Sequence, residues 1–205
     1  MQHTLRQRLL ALSLPLILLP ATGGIAAETT PVDTQEEEVQ ESAIRGRFML
    51  MNHYGETVTN LDYRGKFQLI TFGYTFCPDI CPTTLFNMAQ ALHLLGESAK
   101  QIQPLFVSVD PERDTPKVLR EYVAYFHPDI IGLTGPAELV KRAADNFKVK
   151  YEKVIDPNRD PRLYAVDHSA GIYLMAPDGQ FIVKFAHALP PDQLAERLRA
   201  ILERS

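Results

Sequence analysis

The sequence predicts an α/β fold in which a central mixed sheet has helices on both faces. The apolar, β-branched and aromatic run GKFQLITFGY (65–74) is typical of a buried strand. Directly after it, Leu85, Met88 and Leu92 recur at helical spacing until Gly96 ends the pattern. Strand and helix patterns then alternate along the chain and end in a hairpin and a helix. This order favours a mixed sheet covered on both sides.

The folded part of the chain opens with a predicted edge hairpin. RFMLMNHYGETVTN (47–60) contains two short extended segments around a turn at Tyr54 and Gly55. The run at 65–74 is then a central strand, and it leads directly into the first helix. PLFVSVD (104–110) is predicted as the next buried strand.

The second half of the chain is predicted to contain three more helices and a second hairpin. DTPKVLREYVAYF (114–126) is expected to be a helix, and another is expected near 137–147. VDHSAGIYLM (166–175) and QFIVKF (180–185), joined by a PDG turn, predict a strand hairpin. A final amphipathic helix opens at 190–192.

The N-terminal part divides into two segments before the folded domain. Residues 1–27 place Arg6 and Arg8 before an uncharged leucine-rich run and small residues, which is the layout of a secretory signal. The uncharged stretch approaches the length of a spanning helix, so a cleaved signal peptide and an N-terminal membrane anchor both stay open. Residues 28–42 are acidic and polar, and we expect a flexible linker there. We predict that residues 43–205 form the folded domain.

The net charge and the predicted export limit which partners and which cellular compartment we expect. The formal net charge is -4 with no basic cluster in the body of the chain, which argues against a nucleic-acid partner. Export places the protein in an oxidising compartment, where two thiols form a disulfide unless they are kept reduced or bound to metal.

The two cysteines of the chain, Cys77 and Cys81, lie in the segment FCPDICP (76–82). At helical spacing of four, both sulfurs are expected on one face, at a Cα separation of about 6 Å that a disulfide can close. The start of a helix stabilises thiolates, so the pKa values of both thiols are predicted to be lowered. A structural disulfide, a redox pair and part of a metal site are all compatible with this spacing, although so small a ring would stabilise the fold little.

A third ligand would separate a metal site from the other two alternatives. Two thiolates alone are a poor closed site for zinc, whereas Cu(I) accepts few, soft ligands. His168 is the candidate, because the loop before the final hairpin should approach the start of the first helix in a sheet of this type. The adjacent Asp167 is expected either to orient the imidazole or to be a plain turn carboxylate.

Four motif blocks in consistent order resemble the Sco (SenC) family of exported copper-binding proteins. They are FGYTFCPDICPTTL (72–85), VSVDPERDTP (107–116), IGLTG (131–135) and VDHSAGIYLMAPDGQF (166–181). The resemblance runs from about Phe48 to the end of the chain and implies a thioredoxin-like fold.

The resemblance also implies a ligand set and a role. The family's copper ligands carry over to Cys77, Cys81 and His168, without a departure at those three positions. The implied role is the handling of Cu(I) or Cu(II) during assembly of the dinuclear copper centre of cytochrome c oxidase. The implied partners are the copper-accepting oxidase subunit, a copper donor chaperone and a thioredoxin-like reductant. The implied location is the bacterial periplasm, either free or tethered to the inner membrane, and we expect a monomer.

A thiol-disulfide oxidoreductase that keeps copper-site cysteines of the oxidase or of a partner chaperone reduced is the alternative function. Either Cys77 or Cys81 would attack and the other would resolve the mixed disulfide. The CxxxC spacing and the DHS segment, which stands where related redox proteins place a proline, count against this as the main role. We therefore leave open whether the protein is an enzyme and favour a metallochaperone.

Several further residues are expected to be structural. Met49, Met51 and His53 could supply soft ligands, but packing or exposure is the expected outcome on a strand. The acidic turn at 110–114 is predicted to be a capped loop before Thr115 and Pro116, and the histidines at 93, 127 and 187 to be structural or exposed. Two aromatic residues are predicted to wall the cysteine site, namely Tyr74 and Phe76.

Overall fold

The computed structural model describes residues 44–158 and 160–204. Over that range the backbone forms nine strands and four α-helices, which confirms the predicted α/β fold. Seven of these strands form one mixed sheet, and the other two form a separate antiparallel ribbon.

The strands and helices are numbered in chain order. The strands are β1 (Met49–Asn52), β2 (Thr57–Thr59), β3 (Phe67–Gly73), β4 (Ile102–Ser108), β5 (Ile131–Thr134), β6 (Tyr151–Val154), β7 (Ala165–His168), β8 (Ile172–Met175) and β9 (Phe181–Phe185). The α-helices are α1 (Ile80–Leu95), α2 (Pro116–Ala124), α3 (Ala137–Asn146) and α4 (Pro191–Leu202). Two short 3-10 helices are formed by Asn60–Tyr63 and Gly96–Gln101.

The main sheet has the strand order β2-β1-β5-β4-β3-β8-β9. Strands β3, β4 and β5 are parallel, and β1 and β8 extend them in antiparallel fashion on either side. The predicted hairpin of β1 and β2 is at one edge, and that of β8 and β9 is at the other. Strands β6 and β7 pair only with each other in this part of the chain.

The core lies on both faces of β3, because alternate residues of a strand point to opposite sides of a sheet. Phe67 and Leu69 pack in a cluster with buried residues of α1, α2 and α4. Ile70 and Phe72 pack on the other face in a cluster with buried residues of α3. The continuous apolar run of β3 is therefore explained by helices on both sides, as the sequence predicts.

The loop with the first cysteine and the acidic turn lie at the same edge of the sheet. The parallel strands β3 and β4 end together, with Gly73 opposite Ser108. The loop that contains the first cysteine follows β3, and the acidic turn at 110–114 follows β4. Both segments therefore meet at the carboxyl-end edge of the sheet.

The second half of the chain differs from the prediction in three strands. Short strands β5 and β6 were not predicted, because neither has a long apolar run: β6 is the exposed, charged segment YEKV. The segment 166–175 was predicted to contain a loop with His168 followed by the first strand of the final hairpin, but His168 ends a strand of its own. The halves of this segment are β7 and β8, which belong to different sheets and are separated by Ser169 to Gly171.

The predicted signal or anchor (1–27) and the predicted linker (28–42) lie outside the described residues, so these segments and the domain that starts at 43 stay predictions. In the described part of the chain, no helix has the length and apolar character needed to cross a membrane.

Buried His53 leads to a prediction about acid stability. Its side chain is 4% exposed, and its Nδ1 accepts a hydrogen bond from the Gly132 N–H at 2.9 Å. Burial, reinforced by the charge of Arg120, lowers the pKa of His53 below its ordinary 6.5. As the pH falls below that value, the unfolded chain gains a proton that the folded chain does not.

We therefore predict that His53 contributes full stability above pH 6.5 and that this contribution declines below it. The decline is at most about 1.4 kcal/mol per pH unit for one group. Urea unfolding between about pH 7 and 5 should show a shallower loss of stability in His53→Gln than in the wild type. The exposed His93→Gln is the matched control, and equal slopes in all three proteins would contradict the account.

Candidate metal centre

Both cysteines lie at the junction between β3 and α1. Helix α1 begins at Ile80, so Cys77 lies in the loop before the helix and Cys81 lies in its first turn. The prediction that a single helical face holds both sulfurs is therefore wrong. The loop still brings them together, because the backbone N–H of Cys81 donates to Cys77 Sγ at 3.4 Å.

Cys81 is held in a tight space beneath the end of β3. Its side chain is only 3% exposed. A Cβ atom placed on Gly73 would lie 2.7 Å from Cys81 Sγ and 2.9 Å from a ring carbon of Phe106. Glycine at the last position of β3 is therefore required so that the sulfur can pack against the sheet.

At Cys81, burial affects the pKa of the thiol more strongly than the helix N-terminus does. The loss of contact with water raises the pKa of the Cys81 thiol well above its ordinary value, and the neighbouring Cys77 raises it further. The prediction that both thiols have lowered pKa values is therefore wrong for Cys81. At neutral pH the metal-free protein keeps this thiol protonated, so a cation that binds the sulfur must displace the proton.

His168 is the last residue of β7 and faces the cysteines. Its Nε2 lies 3.5 Å from Cys81 Sγ, and the two residues are 87 positions apart in the sequence. The predicted approach of this segment to the start of α1 is thus confirmed. The ribbon partner of His168 is Tyr151 of β6.

A backbone carbonyl, and not Asp167, contacts the second ring nitrogen of His168. Its Nδ1 lies 3.3 Å from the Ser169 carbonyl oxygen, which can only accept. A proton on Nδ1 therefore makes this hydrogen bond and leaves the lone pair of Nε2 directed to Cys81. Burial lowers the pKa of His168, with the Ser169 carbonyl and the Asp167 charge opposing it, so the neutral imidazole is favoured near pH 7.

The acidic turn after β4 holds the loop between β3 and α1, called the cysteine loop, in place. Asp114 is fully buried and accepts hydrogen bonds from Thr75 Oγ1 at 2.6 Å and from the Thr75 N–H at 3.1 Å. It also accepts from Ser108 Oγ at 2.6 Å, and burial raises its pKa. Thr115 caps α2 by accepting from the Val118 N–H. The predicted capped loop is confirmed, and it also fixes the residue two positions before Cys77.

The two aromatic residues of the cysteine loop have different surroundings. Tyr74 is buried, and its ring lies edge-on to that of His168 with a centroid distance of 6.1 Å. Phe76 is 60% exposed and lies over the Arg113 guanidinium at 4.7 Å. Tyr74 thus walls the site as predicted, whereas Phe76 lies against Arg113.

The other methionines and histidines considered as ligands are packed or exposed, as predicted. Met49 is 53% exposed on β1, and Met51 is half-buried on the same strand. The ring of His53 is occupied by its hydrogen bond with Gly132. His93 is exposed on α1.

An open depression of about 700 Å³ gives access to the cysteine–histidine contact. Its lining includes Tyr74, Cys77, Ile80, Tyr151 and His168. Among the residues that the structure describes, no three His, Cys, Asp or Glu side chains already form a cluster able to hold a metal ion. The Cys77 sulfur instead contacts the Cys81 amide, so a three-ligand site needs a side-chain movement.

Sequence reasoning missed some of the residues that shape this centre. Gly73 could have been recognised, because glycine within a strand often marks a close approach. Ser169 and Tyr151 gave no such signal, since they act through a carbonyl and through a strand pairing that the sequence did not predict.

Comparisons with known proteins support the resemblance seen in the sequence. The profile of the SCO1/SenC family matches residues 36–203. The SCO2-like protein of Rickettsia felis is 39% identical over 168 residues, which cover 82% of this chain and 80% of that protein.

Solved structures agree with the sequence comparison. Arabidopsis thaliana ScoI with copper bound is 38% identical with a TM-score of 0.74, and the match covers 80% of this chain and 100% of that one. Bradyrhizobium japonicum ScoI with copper bound is 40% identical with a TM-score of 0.69, over 79% and 99% of the two chains. The predicted thioredoxin-like fold is confirmed, and the chain belongs to the SCO1/SenC family.

Proposed function

We propose that this protein is an exported copper metallochaperone whose ligands are Cys77, Cys81 and His168. The observation that supports it best is the 3.5 Å contact between Cys81 Sγ and His168 Nε2, which joins the CPDICP and DHS segments. Sco proteins are copper-binding proteins of cytochrome c oxidase assembly, and relatives of this chain have been solved with copper bound. The proposed role is copper delivery to the dinuclear centre of that oxidase.

The chemistry of the three side chains suits copper as a cargo. Two sulfurs and a neutral imidazole are soft to intermediate donors, which copper accepts in both oxidation states. Cu(I) is satisfied by few thiolate ligands, whereas Cu(II) favours a tetragonal site completed by nitrogen or oxygen. His168 is therefore more important for Cu(II) than for Cu(I).

Loading requires two changes at the cysteines. The buried Cys81 thiol loses its proton, and the Cys77 side chain turns from the Cys81 amide towards the ion. Cys77 is the more accessible of the two and borders the open depression. Copper arrives and leaves on that side, so an acceptor thiolate can replace one ligand at a time.

The proposed cellular location is inferred from the N-terminal sequence. Export to the periplasm, with residues 1–27 as a signal peptide or membrane tether, would place the domain beside membrane-bound oxidase. The proposed partners are the copper-accepting oxidase subunit, a copper donor chaperone and a thioredoxin-like reductant that keeps both thiols reduced.

A copper titration of the reduced protein tests the ligand set. We predict one copper per chain, with a sulfur-to-copper charge-transfer band for Cu(II). Cys77→Ser and Cys81→Ser should each abolish tight binding, whereas His168→Ala should lose Cu(II) and keep part of its Cu(I) binding, because Cu(I) needs fewer ligands. His93→Ala, an exposed histidine of α1 outside the depression, is the matched control. Unchanged copper affinity in His168→Ala would refute the three-ligand site.

A thiol-disulfide reductase is the second candidate function, and one observation favours it. Both cysteines are free thiols placed for an attacking and a resolving role. In such a step the Cys77 thiolate attacks a partner disulfide and releases one partner thiolate. Cys81 then displaces the second, leaving a Cys77–Cys81 disulfide and a reduced partner.

The unequal burial of the two thiols gives a prediction for this candidate. Iodoacetamide at about pH 7.5 should alkylate Cys77 first, because Cys81 is buried and its thiol stays protonated. Mass spectrometry after tryptic digestion measures the order of labelling. Equal rates at both positions, or faster labelling of Cys81, would contradict the described geometry and would exclude Cys77 as the preferred nucleophile.

A further inference from the structure

The strand that carries His168 is not part of the main sheet. Strands β6 and β7 pair with each other, from Tyr151 opposite His168 to Val154 opposite Ala165. The ribbon is therefore not held by the ladder of hydrogen bonds that fixes β3 and β4. Other contacts must hold it against the cysteine loop.

One of those contacts is made by the guanidinium of Arg113. Arg113 lies in the acidic turn after β4, and its Nη1 donates to the Tyr164 carbonyl oxygen at 2.9 Å. Tyr164 immediately precedes β7, so this bond fixes the start of the strand that ends at His168. The Nε of the same guanidinium donates to buried Asp110 in a close ion pair.

The same guanidinium also contacts aromatic rings next to the ribbon and in the cysteine loop. Its central carbon lies 3.6 Å from the centroid of the Tyr164 ring and 4.7 Å from that of Phe76. Tyr74, on the same loop, lies 5.7 Å away. A cation between aromatic faces is stabilised by the ring quadrupoles. Phe76 is the residue before Cys77, so one side chain contacts both segments that contain the proposed ligands.

The carboxylate that pairs with Arg113 has a second partner in the same arrangement. Asp110 is fully buried and accepts a second hydrogen bond, from the Tyr164 hydroxyl at 2.7 Å. Arg113, Asp110 and Tyr164 thus form a closed set of contacts beside the metal centre. Loss of Arg113 would leave the buried Asp110 carboxylate without its charged partner, which is costly.

We propose that Arg113 is a positioning residue for copper binding, which holds the start of β7 against the cysteine loop and so fixes the distance between His168 and the sulfurs. The proposal rests on the proposed function, since it concerns the same ligands. Arg113 contacts the flanking residues and not the ion. Its effect is therefore strongest for Cu(II), which depends on the histidine.

Lysine cannot replace arginine in this role. An ammonium is a point charge and lacks the planar fork that donates to Asp110 and Tyr164 while it stacks on two rings. Arg113→Lys keeps the charge of the turn and removes the bridging geometry. It therefore separates positioning from electrostatics.

The chain offers a matched control in Arg120. Its Nε and Nη2 donate to the His53 carbonyl oxygen at 3.0 and 2.8 Å, and its guanidinium lies 5.6 Å from the Tyr54 ring. Arg120→Lys therefore also loses a carbonyl contact and a ring contact, but these join α2 to the segment after β1 instead of bordering the copper site. General loss of rigidity should affect both variants alike.

The experiment measures Cu(II) and Cu(I) affinity by chelator competition, the Cu(II) charge-transfer band, and thermal unfolding of the metal-free proteins. We expect Arg113→Lys to weaken Cu(II) binding about 10- to 100-fold, as for residues that orient metal ligands, and to shift the band. Cu(I) affinity should change much less. Arg120→Lys should match the wild type in all copper measurements.

Tyr164→Leu is the second variant and decides the matter if Arg113→Lys does not fold. It removes the stacked ring and the hydroxyl from a partly exposed position, and the same selective loss of Cu(II) binding is expected. Wild-type Cu(II) affinity in either folded variant would overturn the positioning role, as would equal losses in Arg113→Lys and Arg120→Lys. A wild-type protein that binds no copper would overturn the proposed function as well.

Discussion

The burial of Cys81 against the end of β3 is the constraint on which the candidate centre depends. Gly73 leaves the space, and the buried sulfur then lies next to the neutral imidazole of His168. A protonated thiol is stable there without metal. A thiolate at this depth is stabilised only when a positive partner lies next to it.

This constraint depends on how the strands pair in the sheet and not on the local sequence. Parallel strands β3 and β4 end together, so the cysteine loop and the acidic turn that follow them share one edge. Asp114 ties those two segments together, and β7 of the separate ribbon brings His168 next to Cys81. The candidate centre therefore depends on contacts between segments that are distant in the sequence.

The sequence predicted the parts of the molecule whose residues act through their own side chains. The buried run of β3, the periodicity of α1 and the approach of His168 to the cysteines could all be inferred, since apolar spacing and donor chemistry are visible in the residues. The charged segment of β6 could not, because its strand character depends on pairing with β7. The pKa of Cys81 was predicted in the wrong direction, because burial by Gly73 and its neighbours is a tertiary effect that outweighs the helix terminus.

X-ray absorption spectroscopy of the protein loaded with Cu(II) tests the central claim most directly, since it counts the atoms bound to the metal. The account predicts two sulfur scatterers and one imidazole nitrogen. In His168→Ala loaded with Cu(I), which this variant still partly binds, it predicts both sulfur scatterers without the imidazole nitrogen. A coordination shell of nitrogen and oxygen alone, or one sulfur in the wild-type protein, would contradict the assignment of Cys77, Cys81 and His168 as the copper ligands.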